Sequence, residues 1–355
     1  MIPKNDDIRM EVSTVCNYSC WCCPHSKMRR RKEIMETGDF EYYLDKILMD
    51  TDQYKHITFS GMGEPLLDLD IVKKVRYARK RKLKVTIVTN GSLLTPEIYK
   101  EFCKAGVQTV RVSMVGMLDY GKSHGCPDSN LADMMDSFRK IIDMGGKTLL
   151  AVNCVAENIN EYNIMLRVLG DQIEQLEIWQ AHNWGNGFRL RNRTYTRVSN
   201  CGRLFTGPLQ VQVDGKVVAC CFDYAGRTEL GHLKHSTLDE IFTGAEYVTQ
   251  VCHSNTGDWK GAGYPCYQCD QRNGDKDGIL MYSSRLVDSE NRVKMTSNTL
   301  SKVSPQQAEH KMCLKCGKMF QPRSRFNKVC APCRNENKGF GQFAGGISVH
   351  KSKGE

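Results

Sequence analysis

Four cysteines stand close together near the start of the chain, in the stretch VCNYSCWCCP at residues 15–24. Three of them, Cys16, Cys20 and Cys23, have the spacing CxxxCxxC and follow a predicted strand. Three thiolates leave one iron of a [4Fe–4S] cube without a protein ligand, and such an iron can bind a small molecule. A structural zinc ion would need Cys22 as a fourth ligand. Because adjacent side chains point in different directions, the spacing favours the cluster with an open iron.

A second group of cysteines surrounds a predicted hairpin and helix. Cys201 precedes the hairpin, Cys220 lies on its second strand, and Cys266 and Cys269 form CYQC beyond the helix. Four thiolates in this order can enclose a second cube, and a zinc ion with the same ligands is the alternative. Cys221 is an alternative to Cys220, since only one of two successive strand residues points inward. Full ligation by protein predicts electron transfer rather than substrate binding.

A third group lies in a strongly basic tail. Cys313, Cys316, Cys330 and Cys333 form two CxxC pairs separated by thirteen residues, which is typical of a zinc ribbon. Residues 291–355 hold 13 Lys and Arg against 3 Asp and Glu, so this tail accounts for the whole net charge of +10. Basic residues with interleaved phenylalanines suit phosphates and stacked bases, so we expect nucleic acid as a partner. A structural or protein-docking ribbon is the alternative.

Composition limits where these sites can function. The chain has 355 residues, enough for about two domains, and 40% of them are apolar. It shows neither a signal peptide nor an apolar run near the roughly 20 residues of a membrane span. We therefore expect a soluble cytoplasmic protein without membrane contact, in the host cytoplasm if it is viral. Its 17 cysteines in a reducing compartment indicate metal sites rather than disulfides.

Alternating strand and helix patterns occupy residues 7–182. They indicate βαβ units and a parallel sheet whose loops, after the strand ends, build the site. The pattern alone leaves open whether the sheet is flat or curls into a partial barrel. Beyond it, residues 209–224 predict a hairpin around Asp214-Gly215, and residues 236–252 predict a helix. The strand patterns are residues 7–13, 56–61, 83–91, 109–115, 148–156 and 175–181, and the helical patterns are 39–50, 68–82, 95–106, 130–145 and 160–172.

Residues 7–182 resemble the radical S-adenosylmethionine (SAM) superfamily. The CxxxCxxC after the first strand is one match, and GMGEP after the second resembles the GGEP motif, whose backbone meets the methionine amino group. TNGSLL, VRVSMVG and VNCV, at the next three strands, resemble cofactor-contacting segments of the family. The residues with this implied role are Gly61, Met62, Gly63, Glu64, Asn90, Ser113 and Asn153.

The resemblance implies an α/β fold, a partial (β/α)6 barrel of the radical SAM type. It also implies a [4Fe–4S] cluster with an open iron, bound SAM, and a reductant such as flavodoxin or ferredoxin. In this family the reduced cluster cleaves SAM, and the resulting 5′-deoxyadenosyl radical abstracts a substrate hydrogen. One position departs from the family. An aromatic residue usually precedes the third cysteine, whereas this chain has Cys22 there, with Trp21 as a candidate replacement.

The second cysteine group resembles the auxiliary-cluster domain called twitch, a short relative of the SPASM domain. One auxiliary [4Fe–4S] cluster is expected, because no further cysteines appear between Cys269 and Cys313. The predicted division is a radical SAM core at 1–185, a cluster domain of hairpin and helix at 186–285, a linker at 286–311, a zinc ribbon with Zn²⁺ at 312–335 and a flexible basic tail at 336–355.

The leading functional hypothesis is radical modification or isomerisation of a hypermodified nucleic-acid base, such as a thymidine derivative in phage-type DNA. The alternatives are maturation of a ribosomally made peptide (RiPP) and dehydrogenation or rearrangement of a small molecule. Peptide maturases often carry an N-terminal leader-binding domain, for which we expect no room, since the chain begins with strand one. Candidate acid–base or hydrogen-donor groups are His124 and Cys126 after the fourth strand, Glu177 on the sixth, and His182 and Asn183 just past it.

Overall fold

The structure is a computed structural model of the chain. It describes residues 2–127, 129–156, 158–170, 173, 175–179, 181, 183–184 and 201–269, and strands at 279–287, 293–296, 311–312 and 319–320. The cysteines of the predicted zinc ribbon lie outside the described residues, and so does His182.

Six parallel strands form the centre of the sheet, and each pairs with the next one along the chain. Helices connect them, as the alternating pattern predicted. The strands are β1 Asp7–Met10, β2 His56–Phe59, β3 Lys84–Thr89, β4 Val107–Val115, β5 Leu149–Val155 and β6 Gln175–Trp179. The helices are α1 Thr37–Asp50, α2 Ile71–Lys80, α3 Pro96–Ala105, α4 Tyr120–His124, α5 Ser129–Met144 and α6 Ile159–Leu169.

The two faces of this sheet differ in polarity. On β2, Ile57 and Phe59 are fully buried, and the ring of Phe59 meets Phe40 of α1 edge-on at 5.5 Å between centroids. The alternate positions are polar, because successive strand residues point to opposite faces. Arg9 pairs in register with Thr58, and Thr58 with Thr86. One face therefore packs under the helices, and the other is a polar interior.

Local signals set the ends of the connecting helices. Helix α3 begins at Pro96, and the hydroxyl of the preceding Thr95 accepts a hydrogen bond from the Ile98 amide at 3.3 Å. It ends before Gly106, whose φ of 84° is a left-handed conformation that favours glycine. Such ends place each loop at a defined strand terminus.

The sheet continues past both edges of β1–β6. Strand β7 (Leu209–Val211) pairs in parallel with β1, and β8 (Lys216–Val218) and β9 (Glu229–His232) follow as antiparallel neighbours. At the other edge, β10 (Ile279–Val287) runs antiparallel to β6 and pairs with β11 (Val293–Thr296). The predicted hairpin therefore exists but belongs to the main sheet.

One further prediction needs correction. The helix predicted at 236–252 is a pair, α8 (Leu238–Thr243) and α9 (Ala245–Thr256), because Gly244 between them has an extended backbone. Strand β11 lies within residues 286–311, the segment for which the sequence predicted a linker between domains.

The remaining described elements are short. Helix α7 is Arg203–Thr206, helix α10 is Trp259–Ala262, and β12 (Lys311–Met312) pairs antiparallel with β13 (Met319–Phe320). The β12–β13 pair brackets the first CxxC of the predicted ribbon. Among the described residues, every helix is too short or too polar to cross a bilayer.

Candidate active site

The cysteine loop that follows β1 is held by main-chain contacts to α4, the helix that follows β4. The Ser19 amide donates to the His124 carbonyl at 2.8 Å, and the Trp21 amide donates to the Ser123 carbonyl at 3.1 Å. Within the loop, the Cys23 amide donates to the Cys20 carbonyl at 3.1 Å. The loop therefore has a defined shape at the carboxyl end of the parallel strands, where the sequence predicted the site.

The three thiols of this loop lie close enough to influence one another. Burial raises the pKa of Cys20, and the neighbouring Cys22, Cys23 and Cys16 raise it further. Burial also raises the pKa of Cys23 to about 11, with Cys16 adding to the effect. Three crowded thiols that resist ionisation need a positive partner to become thiolates, and a bound metal cluster supplies that charge.

The loop also fits the chemistry of an iron–sulfur cluster. Two donors approach the Cys16 sulfur, the Tyr18 amide at 3.5 Å and the Asn90 side-chain amide at 3.9 Å. Such N–H donors stabilise negative charge on a cluster-bound sulfur.

Cys22 has different surroundings from the other three. Its side chain is buried with Val115 and Ala181 in a small apolar group. Its thiol is also close enough to Cys20 to add to the rise in the pKa of Cys20 that burial causes. The Trp184 indole donates to the Cys22 carbonyl at 2.7 Å. Trp21, the candidate replacement for the family's aromatic residue, packs against the same group.

The GMGEP segment lies directly against the cysteine loop. The Gly63 amide donates to the Ser13 carbonyl at 3.1 Å, and the Glu64 amide donates to the Val15 carbonyl at 2.7 Å. A Cβ at Gly63 would overlap the Ser13 carbonyl and lie 2.6 Å from the Val15 oxygen. Only glycine permits this approach, so the segment forms a close backbone cradle beside the cluster loop.

Glu64 fixes this cradle to the end of β3. Its buried carboxylate accepts hydrogen bonds from the Thr89 hydroxyl and the Asn90 amide, both at 2.6 Å, and from the Leu66 amide at 2.9 Å. Burial raises the pKa of Glu64, and these donors oppose the rise by stabilising the carboxylate. Glu64 is therefore a positioning group that joins two of the predicted cofactor-binding segments.

Ser113 and Asn153 occupy neighbouring positions on β4 and β5, in register with Glu177 on β6. The Glu177 carboxylate is buried and accepts from Arg111 at 3.4 Å, besides two neighbours on β6. Within the described part of the chain, Asn153 Oδ1 is buried and has no hydrogen-bond partner. An unpartnered buried acceptor is costly unless a ligand supplies a donor, which fits a bound molecule with hydroxyl groups.

Among the candidate proton or hydrogen donors, His124 is held by hydrogen bonds to the backbone and has a structural role. The Val115 amide donates to its Nε2 at 3.0 Å, so the ring proton lies on Nδ1 and faces the Tyr120 carbonyl at 3.0 Å. Burial lowers the pKa of His124 to about 4. With both nitrogens bonded to the backbone, the ring is poorly suited to move a proton. Cys126 lies beside Tyr18 and Cys20, where its charge raises their pKa values.

Three cysteines of the second group, Cys220, Cys266 and Cys269, lie close together near one end of the β7–β8 hairpin. Gln210 pairs with Val218, so the chain before β7 and the chain after β8 meet at this end. Burial of its thiol raises the pKa of Cys220, and Cys221, Cys266 and Cys269 add to the effect, although the residue as a whole is only half-buried. No disulfide joins any of the described cysteines.

One important residue had no signal in the sequence. Glu11, just after β1, is buried and accepts two hydrogen bonds from Arg30, at 2.7 and 2.9 Å. The same carboxylate accepts from the Met62 amide at 2.9 Å and the Val213 amide at 3.2 Å. It thus connects the GMGEP segment, the cysteine loop and the β7–β8 hairpin. Its partners lie far apart in sequence, so only the folded structure brings them together.

Two family models match the chain. The model of the radical SAM superfamily matches residues 10–167, and the model of an iron–sulfur cluster-binding domain, SPASM, matches residues 201–270. Residues 10–167 of the chain therefore form a radical SAM domain, which is less than half of its length. Its parallel sheet is the partial barrel of that superfamily, which confirms the predicted fold. The cofactors of a radical SAM enzyme with an auxiliary cluster domain are SAM and [4Fe–4S] clusters, and such enzymes need an external reductant such as flavodoxin.

Relatives of known name perform varied reactions. A tungsten-containing aldehyde ferredoxin oxidoreductase cofactor-modifying protein from Pyrococcus furiosus is 38% identical over 109 residues, 30% of this chain and 29% of that protein. An S-adenosylmethionine-dependent nucleotide dehydratase from Selenomonas ruminantium is 23% identical over 175 residues, 47% of this chain and 62% of that protein. The matched part is thus less than two thirds of either relative.

Among solved structures, BtrN in complex with AdoMet and 2-DOIA has a TM-score of 0.54 to this chain, with 19% sequence identity. The match covers 79% of this chain and 100% of that chain. At this level of identity the similarity concerns the fold.

Proposed function

We propose that this radical SAM enzyme abstracts hydrogen from a base or a nucleotide-linked group and thereby modifies or isomerises it. A reduced [4Fe–4S] cluster, when bound, cleaves SAM and supplies the 5′-deoxyadenosyl radical for that abstraction. The observation that carries the proposal is the joint placement of the three-cysteine loop and the GMGEP cradle at the carboxyl end of the sheet, linked by the Gly63 and Glu64 amides.

In this proposal the cysteine loop binds the cluster, and residues at the strand ends bind SAM. Cys16, Cys20 and Cys23 hold the cluster, while the Tyr18 and Asn90 donors stabilise negative charge at the Cys16 sulfur. The backbone from Gly61 to Glu64 binds the methionine amine, and Asn90 and Ser113 add polar contacts. Asn153 Oδ1 accepts a hydrogen bond from SAM. This bond gives the buried oxygen the partner that it lacks in the described structure.

The second cysteine group has a separate role in the proposal. Cys201, Cys220, Cys266 and Cys269 complete the coordination of an auxiliary [4Fe–4S] cluster, so no iron is left open for substrate. Such a cluster suits the removal of an electron from a substrate radical, which favours oxidation, or the return of an electron after rearrangement. The crowding of Cys220 with Cys221, Cys266 and Cys269 supports this assignment.

Nucleic acid is the proposed substrate class because of the tail. All of the net charge of +10 lies in residues 291–355, around a CxxC-x13-CxxC ribbon pattern that suits Zn²⁺.

Dehydrogenation of a small molecule is the second candidate function. Its support is a 34% identical 2-deoxy-scyllo-inosamine dehydrogenase from Niallia circulans, matched over 107 residues, 28% of this chain and 41% of that protein.

The proposed reductant contact is a basic segment beside the cluster loop. Lys27, Arg29, Arg31 and Lys32 are exposed directly after the third cysteine. Burial raises the pKa values of Cys16 and Cys23, and Lys32 is close enough to oppose that rise. Flavodoxin and ferredoxin type carriers are acidic, so this segment offers a complementary surface for them.

The test is anaerobic incubation with SAM, reductant and candidate substrates. Formation of 5′-deoxyadenosine is expected from SAM and reductant, with more of it when the true substrate is present. Mass spectrometry of DNA, nucleotides and small alcohols would then show which class is changed. Absence of 5′-deoxyadenosine from iron-replete protein would refute the proposed function, and product from an amino sugar alone would favour the second candidate.

A further inference from the structure

Trp184 lies just beyond the end of β6, at the carboxyl end of the parallel strands. Its backbone φ of 48° lies in the left-handed region, which glycine adopts freely and a residue with a Cβ adopts at a cost. Contacts with the surrounding structure must offset that cost. Residues held in this way are concentrated at functional sites, so the contacts of Trp184 indicate what it does.

The side chain of Trp184 is bonded to the first cysteine loop. Its indole N–H donates to the Cys22 carbonyl at 2.7 Å. Cys22 lies between the predicted ligands Cys20 and Cys23, and its carbonyl belongs to the same peptide group as the Cys23 N–H. That N–H donates in turn to the Cys20 carbonyl at 3.1 Å. The hydrogen bond from Trp184 therefore acts on the backbone that presents two of the three predicted ligands.

Other contacts of Trp184 reach the second cysteine group. Its ring meets the ring of Phe222, the residue after Cys221, edge-on at 5.7 Å between centroids. Its carbonyl accepts a hydrogen bond at 3.3 Å from the hydroxyl of Tyr264, which lies shortly before Cys266 in the sequence. Trp184 thus connects the first cysteine loop to two segments of the second group.

The same residue borders a cavity of about 310 Å³. Gly61 and Met62 of the GMGEP segment line this cavity together with Trp184, and so do Cys220 and Cys221. Its volume is at the lower end of the range of about 300–1,000 Å³ that is typical of small-ligand sites. Trp184 is therefore placed where the proposed SAM cradle and the second cysteine group meet.

The cluster proposed on Cys16, Cys20 and Cys23 is called the first cluster below. From the contacts of Trp184 we infer that this residue is a positioning residue that makes the first cluster easier to reduce. An electron from the external reductant adds one negative charge to the cluster, and the negative end of the Cys22 carbonyl opposes that charge. The indole N–H offsets the carbonyl and so favours the reduced form.

This inference rests on the proposed function and deepens it, because SAM cleavage needs a first cluster that the reductant can reduce. The test is an anaerobic redox titration of iron-replete protein without SAM or substrate, monitored by electron paramagnetic resonance. The signal of the first cluster is assigned in a separate sample by its change when SAM binds the open iron.

The variant Trp184→Phe keeps an aromatic ring and loses the indole N–H. At a fixed potential, we expect its ratio of reduced to oxidised first cluster to be about fivefold lower than in the unchanged protein, the effect of one hydrogen bond. Its iron content and the signal of the auxiliary cluster should stay unchanged. A purely structural role would lower stability without moving this titration.

Tyr264→Phe is a second variant, since it removes the hydroxyl that holds the Trp184 carbonyl and leaves the tryptophan itself in place. It should shift the titration in the same direction by a smaller amount. Tyr99→Phe is the matched control, because it also loses a hydroxyl that donates to a backbone carbonyl, that of Thr148 at the amino end of β5. The control should titrate like the unchanged protein.

A titration of Trp184→Phe that coincides with that of the unchanged protein would overturn the inference, and so would an equal shift in Tyr99→Phe. If thermal unfolding shows that Trp184→Phe does not fold, Tyr264→Phe decides, and its unshifted titration would count against the inference in the same way. The unchanged protein is also assayed for 5′-deoxyadenosine with SAM and reductant. If it cleaves SAM but the variants titrate normally, the inference fails alone. If it does not cleave SAM, the proposed function itself fails.

Discussion

At the scale of single residues, the four clustered cysteines are not equivalent. Cys16 receives two N–H contacts and is half-buried, whereas Cys22 is 8% exposed and buried with Val115 and Ala181. A thiol on an apolar surface has less to gain from metal binding than one that faces polar donors. This difference supports three ligands and one packing residue.

The prediction compares the variants Cys20→Ala and Cys22→Ala. With two cubes the protein should hold about eight irons per chain, and Cys20→Ala should reduce this to about four and abolish 5′-deoxyadenosine formation. Cys22→Ala should retain its iron and its SAM cleavage. Iron analysis and the visible absorption of the clusters measure both. Equal iron loss in the two variants would show that Cys22 is a ligand.

His124 allows a prediction about pH. Its pKa of about 4 lies below the about 6.5 of an exposed histidine, because burial disfavours the charged form. Between these values the folded state binds fewer protons than the unfolded state, so stability falls as the pH drops from about 6.5 to about 4. The contribution of this residue at pH 5 is about 2 kcal/mol.

The variant His124→Gln should therefore lose less stability between pH 7 and pH 5 than the unchanged protein. Thermal unfolding midpoints at both pH values measure this, with the exposed His235→Gln as control. The relevant quantity is the difference between the two pH values, because the variant also loses two hydrogen bonds at every pH. An unchanged pH dependence would contradict the assignment of the lowered pKa.

Candidate site residues could be predicted from the sequence where their function depends on a short, fixed spacing. CxxxCxxC and GMGEP are local patterns, so their positions could be identified without a structure. Glu11 could not be identified, because its importance comes from contacts with Arg30, Met62 and Val213, which are distant in sequence. His124 was a candidate by residue type alone, and its two backbone partners appear only in the fold.

At the scale of elements, the strand and helix periods predicted β1–β6 and the five longer helices α1, α2, α3, α5 and α6 within a few residues, because local hydrophobic alternation marks such elements. The five-residue helix α4 was not predicted. The pairing of β7 with β1 and of β10 with β6 was not predicted. Short strands carry little pattern, and edge pairing depends on the whole sheet rather than on local sequence.

Glu11 connects three elements, and its replacement tests that connection. In Glu11→Gln the amide cannot accept all four hydrogen bonds, and Arg30 remains buried without a counter-charge. We expect destabilisation of about 3 kcal/mol, together with weaker SAM binding because the GMGEP segment loses its Met62 anchor. Chemical denaturation and SAM titration measure the two effects.

Glu33→Gln is the matched control, since its pair with Arg31 is long at 3.5 Å and the Arg31 side chain is 83% exposed. A surface pair of this kind contributes at most about 1 kcal/mol. If Glu11→Gln were as stable as the control and bound SAM equally well, Glu11 would not be the connection that its contacts indicate.

The basic segment after the cysteine loop gives a prediction about electron delivery. The double charge reversal Arg29→Glu and Arg31→Glu should slow flavodoxin-dependent SAM cleavage about tenfold, most clearly at low salt. Cleavage driven by dithionite should be unchanged, because this small reductant needs no docking surface. The double reversal of Lys73 and Lys80, two exposed residues of α2, is the control. An equal effect with both reductants would exclude a docking role.

At the scale of the whole molecule, the strands that precede the two cysteine groups, β1 and the β7–β8 hairpin, belong to one continuous sheet. The β7–β8 hairpin is joined edge to edge with β1, and Glu11 bonds to Val213 beside it. The hairpin that precedes Cys220 is therefore held at a fixed position relative to β1, which precedes the first cysteine group. This connection could not be predicted, because the two cysteine groups are far apart in sequence.

If the substrate is a polynucleotide, the basic tail at residues 291–355 should attract it in a way that depends on salt concentration and not on base sequence. Neutralising Lys318, Arg323 and Arg325 to glutamine in the full chain should weaken oligonucleotide binding. It should also reduce the slope of log affinity against log salt by about 2 to 3, since each phosphate contact contributes about 0.7 to 0.9.

The matched control neutralises three exposed residues of α2 and α3, Lys73, Arg76 and Lys104. Its net charge falls by the same amount, so any general effect of charge appears in both variants. If both variants reduced the slope of log affinity against log salt equally, the tail would be only one part of a diffuse positive surface. The proposal that the substrate is a nucleic acid would then lose its main support.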